Sequence, residues 1–482
     1  MRDDDLRNLL RERNPWWRAS AGGTDPVAWA VADPILKGAA GSGIDFDTDV
    51  LSDAGPTGGL WVLRGPRRVG KSVALKRLAA RFCSTHEPLR LIYMAVDTFQ
   101  AKDLRRAFTL GRALTAGAGA GDGPRLWLVD EVTSVPGWER LVKELRDNTQ
   151  LAHDGVVLTG SSAGGMLAAV QALGAGRTNV REPFRMLLPM TFGEVVGATG
   201  AQVPVPNHLN VSDLQSLTAR REIERLVPFA DELDLLWQQY LESGGFPRAV
   251  GSAHRRGEVD GVFANDLLSW LSTDVIPGDP ADSATELLTV LHRRSGSPLD
   301  VTNAADQLHT TRDRLRLRLD RLVSTFGAIW CHQVNDDGNR RTGSQSKLYL
   351  ADPLLARLPS LVDPTAQPPD FTRSTEASLG VAVARAINAL HPSRYVEQRA
   401  VGYTRTGSGG EIDFAAVPIA VGSGRTVSCP IESKWVTDGW KGEARAVHGK
   451  YRRGIVATKN ITDLSGPVWA VPAPVLALLL EG

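Results

Sequence analysis

The chain has 482 residues, 42% hydrophobic and 23% charged, with a formal net charge of +1. That length is too great for one hydrophobic core, so two to four domains are expected, and the composition is that of a soluble globular protein. The near-neutral balance gives no ground for nucleic-acid binding from overall charge; only local basic faces can support it.

Three cysteines, Cys83, Cys331 and Cys429, lie far apart and outside any metal-ligand spacing, which suits a reducing compartment. The charged N-terminus is unlike a signal peptide, and the apolar C-terminal run 475–480 is too short to span a bilayer. A cytoplasmic protein without a membrane partner is expected.

Residues 1–57 read as an N-terminal extension. Asn14-Pro15-Trp16-Trp17-Arg18 stands out within it, because paired exposed tryptophans are unusual. It reads as an apolar flap on the domain that follows, with a partner site as the alternative. The Gly and Asp clusters between positions 38 and 59 read as loop.

At Leu60 to Ser72 a short apolar strand runs into Gly65-Pro66-Arg67-Arg68-Val69-Gly70-Lys71-Ser72, which fits the G-x-x-x-x-G-K-[ST] phosphate loop. A helix follows from Val73. Backbone N–H groups of the loop and the helix N-terminus suit a polyphosphate, and Gly65 and Gly70 permit the turn. Lys71 is placed for the β- and γ-phosphates and the Ser72 hydroxyl for Mg²⁺. A second strand covers 89–97, a helix 103–114 and a Gly/Ala-rich connector 115–123.

Leu126-Trp127-Leu128-Val129-Asp130-Glu131 has the Walker B pattern: a buried strand delivers Asp130 to the Mg²⁺ and Glu131 to the attacking water. The strand 156–162 ends in Thr159 and Ser161. Either one reaches the γ-phosphate or the water, or the segment is a plain turn. Arg177 precedes a last strand, 185–190. It reads as a surface residue, or as a γ-phosphate contact in cis or from a neighbouring subunit of a homo-oligomer.

GPRRVGKS, LWLVDE, LTGSSA, the Gly-Arg before MLLPMTFGEV, and YLESGGFPRAV together resemble one family. It is the bacterial and archaeal AAA+-type ATPases with a winged-helix region and a C-terminal nuclease-like domain. The resemblance covers most of the chain from Leu60 onward. It implies an extra strand between the two Walker strands, ATP and Mg²⁺ held by Gly65 to Ser72 and Asp130, and Glu131 as the hydrolytic glutamate. Ser72 stands where the family usually has Thr and supplies the same hydroxyl. The resemblance implies machinery, not a substrate.

Residues 212–272 have helical spacing, with Leu233, Leu236, Trp237 and Tyr240 on one face and a break at Gly244-Gly245-Phe246-Pro247. They read as an α-helical lid or as a linker with no part in the nucleotide cycle. From 285 to 358 the order is three helices and a β-wing. Its third helix, capped by Thr310-Thr311, carries Arg312, Arg314, Arg316, Arg318 and Arg321. In a winged helix that helix reads the major groove; a solvated basic face is the alternative. A Pro-rich stretch, 359–373, reads as a linker.

The last domain reads as a helix from 374 to 390, a strand at 394–399, a Gly-rich turn at 404–410, and strands carrying Asp413 and Glu432-Ser433-Lys434. The pattern resembles the PD-(D/E)xK nuclease core, with Ile412 in place of the motif's Pro. Asp413 and Glu432 would ligate Mg²⁺, Lys434 would polarise the attacking water, and Glu376 matches a further acidic position.

The expected fold class is α/β: an AAA+-type P-loop ATPase core with a parallel sheet (58–195), an α-helical lid (196–280), a winged helix (281–358), a linker (359–373) and a restriction-endonuclease-like α/β domain (374–482). The expected function is ATP hydrolysis coupled to DNA, which the winged helix and the last domain would contact. The alternative is an ATP-dependent switch or scaffold whose last domain binds a partner without cleavage.

Overall fold

The computed structural model describes residues 1–44, 46–160, 179–180, 182–280, 282–390, 401–407, 410–421 and 424–481. The chain divides into two compact units, Met1–Leu188 and Pro189–Gly482.

The first unit is built on a parallel sheet of β1 (Leu60–Arg64), β2 (Leu91–Ala95), β3 (Leu126–Asp130), β4 (Gly155–Gly160) and β5 (Phe184–Met186), in the order β2-β3-β4-β1-β5. β4 lies between the two Walker strands β1 and β3, as the resemblance implied. The residues of β1, β3 and β4 are all buried. That is why these strands read as near-continuous apolar runs rather than alternating ones. Register sets Ala95 beside Asp130 and Leu63 beside Thr159, so the carboxylate, the threonine and the phosphate loop share the C-terminal edge of the sheet.

Helices Lys71–Thr85, Ala101–Thr115 and Trp138–Asn148 flank this sheet. Two expectations need correcting. The Gly/Ala-rich stretch continues as a helical turn over Ala116–Ala120, and β5 stops at Met186 rather than running to 190. In the N-terminal extension, helices Asp3–Arg13, Trp16–Gly22 and Pro34–Ala40 form, and Trp16 and Trp17 are buried in the core of this unit.

In the second unit, helices Leu217–Leu226, Ala230–Ser243, Pro247–Arg256 and Gly261–Asp274 come first. The break at 244–247 is real: Gly244 has φ +64, and a Cβ there would lie 2.0 Å from Asp352 Oδ1. Helices Ser283–Arg293, Val301–Gln307 and Arg312–Ser324 follow, the last capped by the Thr311 hydroxyl. Strands β6 (Ala328–Gln333) and β7 (Ser346–Leu350) then pair antiparallel.

Helix Pro353–Val362 occupies the front of the expected linker, and helix Phe371–Ala389 begins before its end. Beyond it lie β8 (Val401–Arg405), β9 (Glu411–Ile412), the hairpin β10–β11 (Pro418–Val421, Gly424–Val427), β12 (Ile431–Ser433), β13 (Gly454–Thr458) and β14 (Val468–Pro472). β6 pairs parallel with β8, giving one sheet in the order β7-β6-β8-β9. The segments before and after the Pro-rich stretch are therefore hydrogen-bonded into a single sheet, with Cys331 opposite Val401 and both buried. The expected strand at 394–399 lies outside the described residues.

Candidate active site

The phosphate loop leaves β1 at Gly65 and enters its helix at Gly70, which caps it at φ +105. Gly65 has φ +157, and a Cβ there would sit 1.9 Å from the carbonyl oxygen of Leu187. Glycine is required at Gly65 for space and at Gly70 for its backbone angle. Pro66 and Val69 are buried; Arg67 and Arg68 are exposed, Arg68 at φ +66. Lys71 is buried, with Nζ donating to the carbonyls of Gly65 (3.0 Å) and Pro66 (2.9 Å) and 4.0 Å from Glu131 Oε1. Ser72 lies in the first turn of the helix.

Asp130 ends β3 with both carboxylate oxygens held. Thr159 Oγ1 donates to Oδ1 at 2.6 Å, and Tyr93 Oη donates to Oδ2 at 3.0 Å. Thr159 Oγ1 also accepts from the Glu131 backbone N–H at 3.0 Å. Thr159 thus bridges the two Walker carboxylate positions, a contact that the expected role at the γ-phosphate or the water did not include. Glu131 sits at φ +57, half-buried, a left-handed backbone that turns its side chain out of the strand toward Lys71. Arg177 and Ser161 lie outside the described residues.

These residues suit a nucleotide polyphosphate: a long helix starts at the loop, a buried lysine points back into it, and a hydroxyl and two carboxylates stand at one sheet edge.

Residues 58–196 match a family model described as an AAA domain. Those residues form an AAA-type P-loop ATPase domain. A second family model, described as a domain of unknown function (DUF8612), matches residues 234–364. That match runs across position 280, where the lid was expected to give way to the winged helix. No curated protein matches the chain.

Among solved structures, the Walker-type ATPase PABY2304 of Pyrococcus abyssi is 15% identical with a TM-score of 0.34, over 64% of this chain and 93% of that one. A RuvB of Thermotoga maritima is 15% identical with a TM-score of 0.26, over 57% and 82%. The Aeropyrum pernix ORC2 protein, in ADPNP–ADP complexes, is 10% identical with a TM-score of 0.21, over 65% and 90%. None of these likenesses is close enough to say more about this chain.

In the second unit Asp413, Glu432 and Glu376 converge, around a residue the sequence reading missed, while Lys434 does not join them. Lys347 on β7 is wholly buried, and its Nζ lies 2.7 Å from Asp413 Oδ1, 2.7 Å from Glu411 Oε1 and 3.0 Å from Glu376 Oε1. Burial works against its charge, but Asp413, Glu376 and Glu411 outweigh it and hold the ammonium well above the usual lysine range. Asp413 Oδ2 accepts from the Ser433 N–H at 3.0 Å, and Glu432 Oε2 accepts from the Asp413 N–H at 3.1 Å. Tyr349 donates to Glu376 at 2.7 Å. Burial, and then the neighbouring Asp413 charge, push the carboxyls of Glu376 and Glu432 up.

The donor set does not suit a divalent metal. The Lys347 ammonium already supplies a positive charge at Asp413 Oδ1, and the other Asp413 oxygen accepts from the Ser433 N–H, so the place of a cation among these carboxylates is taken. Among the described residues no group of three or more His, Cys, Asp or Glu side chains is arranged to hold a metal ion. Lys434 turns to Glu443 at 2.8 Å rather than into the carboxylates.

The arginine helix splits in two. Arg318 is buried and paired with Asp279, and the exposed Arg314 also binds Asp279. Arg312 and Arg316 are exposed. The three cysteines are free and buried, and among the described residues no helix is long and apolar enough to cross a membrane.

Tyr93 and Lys347 are the buried polar residues of these two clusters that motif reading passed over. The signal for each was a polar group inside a buried apolar strand, which has to find a partner.

Proposed function

We propose that this chain hydrolyses Mg²⁺-ATP at its phosphate loop and uses the cycle on DNA, with a last domain that binds without cutting. The observation that carries the first part is the meeting of Lys71, Asp130, Thr159 and Glu131 at one sheet edge. When bound with ATP, Mg²⁺ at Ser72 and Asp130 would neutralise charge on the phosphates. Lys71 would leave the Gly65 and Pro66 carbonyls for the β- and γ-phosphates. Glu131 would accept the proton of the attacking water.

For DNA, three helices followed by an antiparallel hairpin support a winged helix, and the contact falls to Arg312 and Arg316 on the third helix. Arg314 and Arg318 are spent on Asp279. For the last domain, the ammonium of Lys347 among Asp413, Glu376 and Glu411 favours the partner-binding alternative over a metal nuclease. No cleavage step is assigned to Asp413, Glu432 or Lys434.

The test is incubation of the full chain with ATP, Mg²⁺ or Mn²⁺ and single-stranded, duplex and branched DNA, reading phosphate release and DNA length together. Phosphate release that Glu131→Gln abolishes while ATP stays bound, with the DNA intact, is expected. Turnover by Glu131→Gln at the parent rate would overturn the ATPase assignment. Metal-dependent cutting that Asp413→Ala removes would overturn the non-cleaving one.

A further inference from the structure

The tryptophan-rich N-terminal stretch is not used by the machinery described so far. Asn14 Nδ2 donates to the Leu10 carbonyl at 2.7 Å, and the other side-chain hydrogen bonds of Arg13, Asn14, Trp16 and Trp17 go to one strand, β2, at the edge of the parallel sheet. Asn14 is fully buried: its Oδ1 accepts from the Tyr93 N–H at 2.7 Å and its Nδ2 donates to the Tyr93 carbonyl at 3.0 Å. The indole N–H groups of Trp16 and Trp17 both donate to the Leu91 carbonyl, at 3.1 and 2.8 Å, and Arg13 donates to the Ala95 carbonyl. Side chains therefore take the place of a neighbouring strand along β2.

Tyr93 is the residue this stretch grips, and the Tyr93 hydroxyl holds Asp130. The Tyr93 ring is itself packed by a cation. Lys76, on the helix that begins with Lys71, is buried, and its ammonium lies 4.0 Å from the centre of the Tyr93 ring. The same ammonium pairs with Asp33 at 3.1 Å and lies over Trp29 (5.4 Å) and Trp16 (5.7 Å). A cation enclosed by three aromatic rings and one carboxylate is strongly held when desolvated.

We propose that Asn14, Lys76 and Tyr93 are positioning residues for Asp130, through which the N-terminal stretch sets the geometry of the ATPase site. Asn14 fixes the Tyr93 backbone, Lys76 fixes its ring, and the hydroxyl fixes one oxygen of Asp130 while Thr159 fixes the other. With both oxygens held, the carboxyl plane is set before nucleotide arrives, and no reorganisation is needed at the moment of reaction. Asn14-Pro15-Trp16-Trp17 is then a part of the catalytic domain and not a docking site for a partner.

The proposal rests on the ATPase reading of the same site, and Tyr93→Phe separates the two. The substitution keeps the ring against Lys76 and deletes only the hydroxyl. It is expected to leave affinity for a fluorescent ATP analogue in EDTA within about twofold, to lower kcat about tenfold, and to raise the free Mg²⁺ needed for half-maximal turnover about fivefold. Lys76→Met is expected to reproduce the fall in kcat, and Lys76→Arg, which keeps the cation, to restore most of it.

An active parent together with a Tyr93→Phe variant of unchanged kcat and Mg²⁺ dependence overturns this proposal alone. A parent that neither binds nor turns over ATP overturns both readings. A Tyr93→Phe variant that loses nucleotide affinity and melting temperature along with kcat shows a structural role only, and also overturns it.

Discussion

Removing the buried cation of the second unit gives a loss of stability whose size and pH dependence both follow from the structure. Lys347→Met keeps most of the apolar stem of the side chain and deletes an ammonium that three carboxylates approach within 3.0 Å. At an effective dielectric of about 20, each close pair attracts by roughly 6 kcal/mol, and desolvation cancels most of that sum. Breaking a buried pair on one side costs about 3–5 kcal/mol net. A second route gives the same size. One proton on the cluster replaces the lost positive charge, at about 1.4 kcal/mol for each pH unit above an ordinary carboxyl value near 4, so about 4 kcal/mol at pH 7 and about 1 kcal/mol at pH 5.

The sign follows from linkage. In the variant a carboxyl has a raised folded pKa, so its compensation is full at low pH and fades as pH rises. Urea unfolding of parent and variant at pH 5 and pH 7, followed by circular dichroism and tryptophan fluorescence, measures both numbers. A loss under about 1 kcal/mol at pH 7, or an equal loss at the two pH values, refutes the view that Lys347 is the cluster's cation.

Arg312→Ala with Arg316→Ala should leave the melting temperature alone and flatten the salt dependence of DNA binding by about 1.8 in log–log slope, measured by fluorescence anisotropy. Arg318→Ala should instead destabilise the chain, since it removes the buried one of the two cations on the Asp279 carboxylate and leaves only the exposed Arg314. Burial, then the charge of Arg373, lower the His292 imidazole from 6.5 to about 4, and its Nε2 accepts from the Asp370 N–H at 3.0 Å. Stability should therefore rise with pH between about 4 and 6.5, where only the unfolded chain holds the proton, and His292→Gln should flatten that rise in thermal melts. Gly65→Ala should abolish both nucleotide binding and the native melt of the first unit, because a methyl group cannot share space with the Leu187 carbonyl; Gly70→Ala, with open space but a strained angle, should cost only about 1–2 kcal/mol.

Much of the first unit was legible in the chain alone. GPRRVGKS and LWLVDE are local patterns whose chemistry requires neighbouring residues on one strand-to-helix turn, so spacing alone identifies them. Break positions such as 244–247 and the Thr311 cap are equally local, set by backbone angles and one hydroxyl. The arginines of the third helix were countable, but which of them face solvent depends on Asp279, a residue more than thirty positions earlier.

What only the tertiary structure decided is where distant polar groups find their partners. Tyr93 and Asn14 meet 79 positions apart, Tyr93 and Asp130 37 apart, and Lys347 and Asp413 66 apart. Each is a hydrogen-bonding group inside an apolar stretch, and burial obliges it to be satisfied without fixing by what. The Glu-x-Lys spacing at Glu432 and Lys434 suggested a lysine beside the carboxylates, yet it is Lys347 from another strand that pairs with Asp413, while Lys434 pairs with Glu443. Sequence spacing carries the chemistry of neighbours along one strand; charge balance in a buried cluster is settled by whichever strand folds against it.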